Sequence, residues 1–352
     1  VSTFGRLFIQ GTDSLLAYDA YNGQFLWEFK NEKAVRTGVF QNHAPGNLVA
    51  SDESVFMMLD ARCLQLDAAT GKLQKTHSLP AGKNAAEQEW GYIALSEGIL
   101  FGTSTRRKRL ELVRSRRGKQ TEDATDAIFA IDLKTGKHLW SYQGKSIDFR
   151  TIALGPERVH FINSTITAEQ RQALLREDKT ELKSLKGEAA KRAEARLKRI
   201  DGRTAIALDA RTGKQLWAQA VDVTDTSEIG IGGGRLSMVY KDGVLLMGGA
   251  NANGHYWTQF IAGEFKQRRL VALSAVNGYK LWSKDANYRH RPIVVGNKII
   301  AEPWSFDLKS GKQTTRIHPL TGKEVPWSFM RPGHHCGMNT ATPNMLFFRS
   351  GF

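Results

Sequence analysis

Short runs in which apolar and polar residues alternate fill nearly the whole chain, the period of a strand with one buried face. Several runs end in a shared sequence: apolar residues leading into Asp, a few variable residues, Gly, usually Lys, an apolar residue and then Trp. The copies are Ala17-Tyr18-Asp19 to Gly23 and Trp27, Gln65-Leu66-Asp67 to Gly71, and Ala130-Ile131-Asp132 to Gly136 and Trp140. They continue with Ala207-Leu208-Asp209 to Gly213 and Trp217, and Ala272-Leu273-Ser274 to Gly278 and Trp282. A shorter copy runs from Ser305-Phe306-Asp307 to Gly311, and Thr321-Gly322-Lys323 to Trp327 echoes its second half. Each copy predicts a hairpin whose tight turn places Gly at positive φ, with the Trp opening the outer strand.

Two further strands are predicted before a hairpin. Asn47–Ser51 with Val55–Leu59, Tyr92–Leu95 with Ile99–Gly102, and Leu236–Tyr240 with Val244–Met247 are the clearest pairs. Four short strands per unit, repeated without helical crossovers, predict an all-β fold. It is a β-propeller of four-stranded antiparallel blades, six to eight in the closed ring. Residues 1–352 form a single propeller domain by this reading, with a helical hairpin inserted at 166–201. The chain is expected to open on the second strand of a blade (Arg6–Gln10) and to stop after two strands, Thr340–Thr342 and Leu346–Arg349. The expectation is therefore a propeller incomplete at one or both ends.

In up-and-down blades labelled A to D from axis to rim, the Thr-Gly-Lys turns join C to D on one face. The B–C loops and the blade-to-blade D–A connections fall on the other. Three long insertions are expected in B–C loops: Thr103–Thr125 with Arg106–Arg109, Thr165–Gly202, and Gly248–Arg269. In the second, Leu174, Leu175, Leu182 and Leu185, then Ala189, Ala193, Leu197 and Ile200, recur at helical spacing, and Gly187 marks the turn between two helices. The D–A connections carry His43, Trp90, Arg150, Arg235, Arg289-His290-Arg291 and the run Arg331 to Asn339. Ligand contacts are expected on that face, from His43, Trp90, Arg150, Arg235, His255, Trp257, Arg291 and Arg331, because loops on a rigid scaffold are where function concentrates.

Composition changes this picture little. Lys and Arg number 50 against 35 Asp and Glu, a net charge of +15 that suits a polyanionic ligand as well as plain solubility. Two cysteines, Cys63 and Cys336, exclude a disulfide framework. No apolar run is long enough for a membrane span, nothing resembles a specific nucleic-acid module, and no Cys-x-x-Cys-His offers covalent haem attachment. His334, His335, Cys336 and Met338 bring together donors that suit copper or zinc, in a spacing that matches no closed zinc motif.

The motif (A/L)-x-D-x-x-T-G-K-x-x-W resembles the repeat of the pyrroloquinoline quinone (PQQ) type propellers, which include quinoprotein dehydrogenases and BamB-like assembly scaffolds. The resemblance covers nearly the whole chain. For an enzyme it implies a calcium-bound quinone, stacked by Trp90 or Trp257 and paired through its carboxylates with Arg150, Arg235 or Arg291. Glu87, Glu89, Glu264 and Glu302 are the acids expected near that face. The vicinal cysteine pair common in those enzymes is missing, so neither PQQ with calcium nor copper rests on a complete motif. The resemblance also implies a periplasmic or extracellular setting. Three functions fit: a binding or scaffolding module for a protein partner or for other domains of a larger chain; a quinoprotein-type oxidoreductase or metal-containing electron carrier; and a lyase or hydrolase of acidic polysaccharide.

Overall fold

The computed structural model of the chain describes residues 1–11, 13–31, 48–80, 87–106, 124–163, 166–226, 235–250, 268–329 and 339–348; at 124, 177–181, 235 and 250 only the backbone is described. They group into two compact units, Val1–Phe149 with Asp209–Lys214, and Arg150–Leu208 with Gln215–Phe352.

The first unit opens with a four-stranded antiparallel sheet, β1 (Ser2–Thr3), β2 (Arg6–Gln10), β3 (Ser14–Asp19) and β4 (Phe25–Lys30). The short β1 corrects the expectation that the chain begins on a second strand: Ser2 pairs with Leu7 and Thr3 with Arg6. Two residues are too few to register as an alternating pattern. A second sheet follows with β5 (Leu48–Ala50), β6 (Ser54–Leu59), β7 (Arg62–Asp67) and β8 (Leu73–Ser78). Then come β9 (Gln88–Ser96), β10 (Ile99–Arg106), β11 (Ala124–Asp132) and β12 (His138–Gly155). β12 is long because it pairs with β11 and runs on, without a loop, to pair with β13 (Arg158–Asn163).

In the second unit, β13 leads into α1 (Ala168–Leu182) and α2 (Gly187–Leu197), then β14 (Gly202–Asp209) and β15 (Gln215–Asp222). The helical hairpin stands where the leucine spacing put it, and Gly187 turns the chain at φ +59°. The next blade is β16 (Arg235–Lys241), β17 (Val244–Ala250), β18 (Arg269–Ser274) and β19 (Lys280–Asp285), again four strands in sequence order. β20 (Ile293–Val295), β21 (Lys298–Ala301) and β22 (Trp304–Asp307) make a three-stranded sheet. Two hairpins close the chain, β23 (Thr315–Ile317) with β24 (Glu324–Pro326), and β25 (Thr340–Ala341) with β26 (Leu346–Phe347). The architecture is all-β, of propeller blades.

The repeated motif has one physical job per residue. The Asp closes the turn: Oδ1 of Asp67 accepts from the amides of Ala69 and Thr70 and from the Thr70 hydroxyl. Asp209 does the same with Arg211 and Thr212, and Asp307 with Lys309 and Ser310. The Thr70 hydroxyl and amide hold the exposed Asp67 carboxyl below the usual carboxylate range. The Gly amide bonds back to the Asp carbonyl, at 2.8 Å in the Gly71 turn and 2.9 Å in the Gly213 turn.

The Trp belongs to the following blade as much as to its own. Trp27 Nε1 donates to the Ala68 carbonyl at 3.1 Å, Trp140 to Ala210 at 2.9 Å, Trp217 to Ala275 at 3.1 Å and Trp282 to Leu308 at 3.0 Å. Each acceptor follows directly on the turn residue Asp67, Asp209, Ser274 or Asp307. Each indole also lies close against the turn glycine. A Cβ at Gly213 would stand 2.5 Å from the Trp140 ring, and one at Gly71 would stand 2.5 Å from Trp27. This clasp places Asp209–Lys214 in the first unit, beside Trp140. In β8 the position belongs to Lys75, which pairs with Gln65 where the other outer strands pair Trp with Ala.

Comparing two glycines isolates the clasp. Gly213 (φ +70°) and Gly23 (φ +74°) share the left-handed conformation and the same unit, but nothing lies within 4 Å of a Cβ at Gly23. Gly23→Ala should cost about 1 kcal/mol from backbone strain alone. Gly213→Ala should cost about 1–3 kcal/mol more, because the indole has to give way. Denaturant unfolding of the two variants checks this, and equal losses would contradict the clasp.

Candidate functional site

Most of the residues nominated from sequence cannot be assembled into a site. His43, His255, Trp257, Arg331, His334, His335, Cys336 and Met338 lie outside the described residues, as does Glu264. Arg235 opens β16, with only its backbone described. Of the two cysteines, Cys63 is a free, buried thiol whose pKa burial pushes well up, so it stays protonated and unreactive.

Two nominated residues sit elsewhere than expected. Trp90 is inside β9 and only 1% exposed. Its Nε1 donates to the Ala61 carbonyl at 3.2 Å, its amide to the Asp60 carbonyl at 2.9 Å, and its ring meets Phe129 edge-on at 4.9 Å. Both faces are committed to packing, which leaves none for a stacked ligand. Arg150 was placed in a loop between blades, but β12 passes straight through that point, and the half-exposed side chain is engaged with its neighbours. The apolar periodicity cannot distinguish one long strand from two separated by a loop.

The connection from β19 to β20 does gather chemistry, within the second unit. Its backbone is fixed from below by Arg268, which is 2% exposed and donates through Nη1 to the carbonyls of Tyr288 and Arg289, both at 2.9 Å. The Arg268 guanidinium lies 5.5 Å over the Tyr288 ring, and burial brings its pKa down to about 10, so it remains a cation. Tyr288 Oη in turn accepts the Gly249 amide at 3.0 Å. Thus β17, β18 and the connection are tied at one point.

On this platform Arg289, His290, Glu302 and Asn339 form a buried polar cluster, none more than 7% exposed. Glu302 sits between the others: Arg289 Nη1 is 3.9 Å from Oε1, His290 Nε2 is 3.8 Å from Oε2, and Asn339 Nδ2 donates to Oε2 at 3.2 Å. The Arg289 amide also donates to the Glu302 carbonyl at 2.7 Å. The sequence names Arg289-His290-Arg291 and Glu302 separately, and the fold brings Arg289 and His290 of that run to Glu302. It did not single out Asn339, whose only signal was its place at the end of the His-rich run.

Calcium beneath a quinone needs carboxylate and amide oxygens with charge to spare. Glu302 and Asn339 are the right donor types, but Arg289 and His290 already face that carboxylate. A divalent cation there would meet a guanidinium across the same oxygens, so this cluster does not fit the metal. Glu87 is exposed, and Glu89 is 3% exposed and engaged with neighbours. Among the described residues, no group of three or more His, Cys, Asp or Glu could share a metal ion.

Arg291 differs from Arg289. It is half-buried, burial depresses its pKa, and no hydrogen bond or ion pair joins it to another described residue. A guanidinium so placed is suited to an anionic group.

Repeated four-stranded blades with turn-covering indoles define the class, that of β-propeller proteins. Comparison narrows the class: residues 201–345 match the profile of a family described as outer membrane protein assembly factor BamB. Over that stretch the chain is similar to the PQQ-like repeat family. BamB from Moraxella catarrhalis aligns over 88% of this chain and 69% of its own, at 12% identity and a TM-score of 0.46. Quinohemoprotein alcohol dehydrogenase ADHIIG from Pseudomonas putida HK5 aligns over 96% of this chain and 51% of its own, at 13% identity and a TM-score of 0.44. The quinohemoprotein alcohol dehydrogenase of Comamonas testosteroni gives 92%, 50%, 12% and 0.40. The chain therefore spans about half the length of those two dehydrogenases. No curated protein matches in sequence.

Two substitutions separate structure from ligand contact. Glu302→Gln should destabilise the fold by about 3 kcal/mol, since it strips the buried Arg289 of its counter-charge. Arg291→Ala should cost less than about 1 kcal/mol, having no internal partner among the described residues to lose. Thermal unfolding of both variants checks the contrast, and a large loss for Arg291→Ala would make it a structural cation.

Proposed function

We propose that this PQQ-like propeller is a binding or scaffolding module that holds a protein partner, or other parts of a longer chain, and works outside the cytoplasm. The observation that carries the reading is the state of Glu302. Glu302, a buried acid expected near the ligand face, is matched by Arg289, His290 and Asn339, and ties together the chain beside β20, β21 and β25. The match to the BamB profile over residues 201–345 supports the same reading, and so does the burial of Trp90 in packing. Among the described residues, no helix is long and apolar enough to cross a membrane.

A second reading has one observation in its favour. Arg291, half-buried and without an anionic partner among the described residues, suits a ligand carboxylate. A quinone cofactor and an acidic sugar both carry that group, so an oxidoreductase and a polysaccharide lyase or hydrolase are the enzymes to test against.

The deciding experiment is an absorbance spectrum with metal analysis on protein from its native source, followed by dye-linked alcohol oxidation with added PQQ and calcium. The module reading expects a colourless protein with no turnover above blank and no cleavage of acidic polysaccharide. A quinone band with stoichiometric calcium, or turnover abolished by Arg291→Ala, would replace it with the oxidoreductase.

A further inference from the structure

The helical hairpin does more than fill space on the blade rim. Its second helix is tied down by ions: Arg196 reaches Asp225 at 3.3 Å and Asp285 at 2.5 Å. Arg199 grips Asp225 through two bonds of 2.6 and 2.9 Å. Burial disfavours the Arg196 charge, yet Asp285 and Asp225 more than offset this and its pKa rises. Leu174 of α1 is buried as well. The hairpin therefore has a fixed seat and is not a loose arm.

That seat leaves a groove of about 550 Å³ between α2 and β19. One wall is the stripe Ala189, Ala193 and Leu197, spaced four residues apart on one face of α2, with Leu185 just ahead of the helix and 40% exposed. The other wall is Trp282 to Asp285 of β19, the last strand of its sheet, whose outer edge pairs with no described strand. The groove is thus an open backbone edge facing an apolar helix wall, an arrangement suited to one added strand.

Charge selects the occupant. Asp222 and Asp225 balance Arg269 and Arg196 behind the groove. Arg192 is left 3.5 Å from Asp285, a carboxylate that Arg196 already holds, and its Nε completes no hydrogen bond among the described residues. Residues 168–200 carry ten Lys and Arg against six Asp and Glu. We infer that the groove between α2 and β19 receives an extended segment of a protein partner, acidic with alternating apolar residues. It adds as a strand to β19, its apolar side chains against the Ala189–Ala193 stripe and its carboxylates toward Arg192. The six residues of β19 offer about 20 Å for it.

The inference rests on the reading of the chain as a binding module, and the two are read in different assays. The probe is a labelled hexapeptide of alternating Leu and Glu, with alternating Leu and Lys as control, titrated by fluorescence anisotropy. Hydrogen exchange then locates the protected amides. The Glu peptide should bind saturably, at least tenfold tighter than the Lys peptide, and protect Lys280–Asp285. Ala193→Trp, which fills the groove, and Ala189→Glu, which opposes the acidic strand, should each weaken binding at least tenfold with the melting temperature kept. If either variant unfolds, the other and the exchange map still decide. Equal binding of both peptides, protection elsewhere, or no binding would overturn the groove, and leaves the parent reading to its own spectrum and turnover tests.

Discussion

Four times along the chain an outer-strand indole reaches into the next blade, gives its N–H to the carbonyl just past that blade's turn residue, and covers the turn glycine. The contact joins a directional bond to a close-packed surface, and both need the turn to hold its shape. The turn keeps its shape because the Asp carboxylate collects its amides, and because only glycine tolerates both the positive φ and the ring above it. Within one blade a hairpin is marginal; the clasp makes consecutive blades depend on one another. Where Lys75 replaces the indole, Trp90 supplies a different link, from β9 back to the Ala61 carbonyl.

The remaining chemistry sits on this frame as local additions. The hairpin of α1 and α2 is bolted to blade residues Asp225 and Asp285 by arginines. The connection from β19 to β20 is held by Arg268 from one side and Glu302 from the other. Each of these buried ionic groups faces a partner, and removing one partner leaves the other buried and uncompensated at a large cost. Arg291 alone in that stretch has an unspent charge among the described residues, and the groove beside α2 has an unspent strand edge. Binding capacity therefore lies at the points where the frame leaves a group without an internal partner among those residues.

The blades were legible in sequence because the same few residues solve the same problem repeatedly. Asp, Thr, Gly and Trp recur at fixed offsets, and alternation marks the strands beside them. The helical hairpin was legible for a similar reason, in the helical spacing of Leu174, Leu175 and Leu182 and then of Ala189, Ala193 and Leu197. What that stripe faced was not, since periodicity gives a face and not its neighbour. β1 was too short to show a period, and the continuous β12 looked like two strands with a loop. Trp90 read as a loop aromatic because its partners, Ala61 and Phe129, are distant in sequence. The Glu302 cluster was hidden in the same way: its members span positions 289 to 339, and pairing of charges that far apart leaves no local pattern. The His334–Met338 run, prominent in sequence, lies outside the described residues.

A double-mutant cycle on Trp140 and Gly213 tests the clasp most directly, combining Trp140→Ala and Gly213→Ala and measuring unfolding free energies for all four proteins. If the indole covers the turn, the added methyl is tolerated once the ring is gone, and the two changes couple by about 1–2 kcal/mol. Strict additivity would mean that ring and turn do not press on each other, and that the blades are held together by something else.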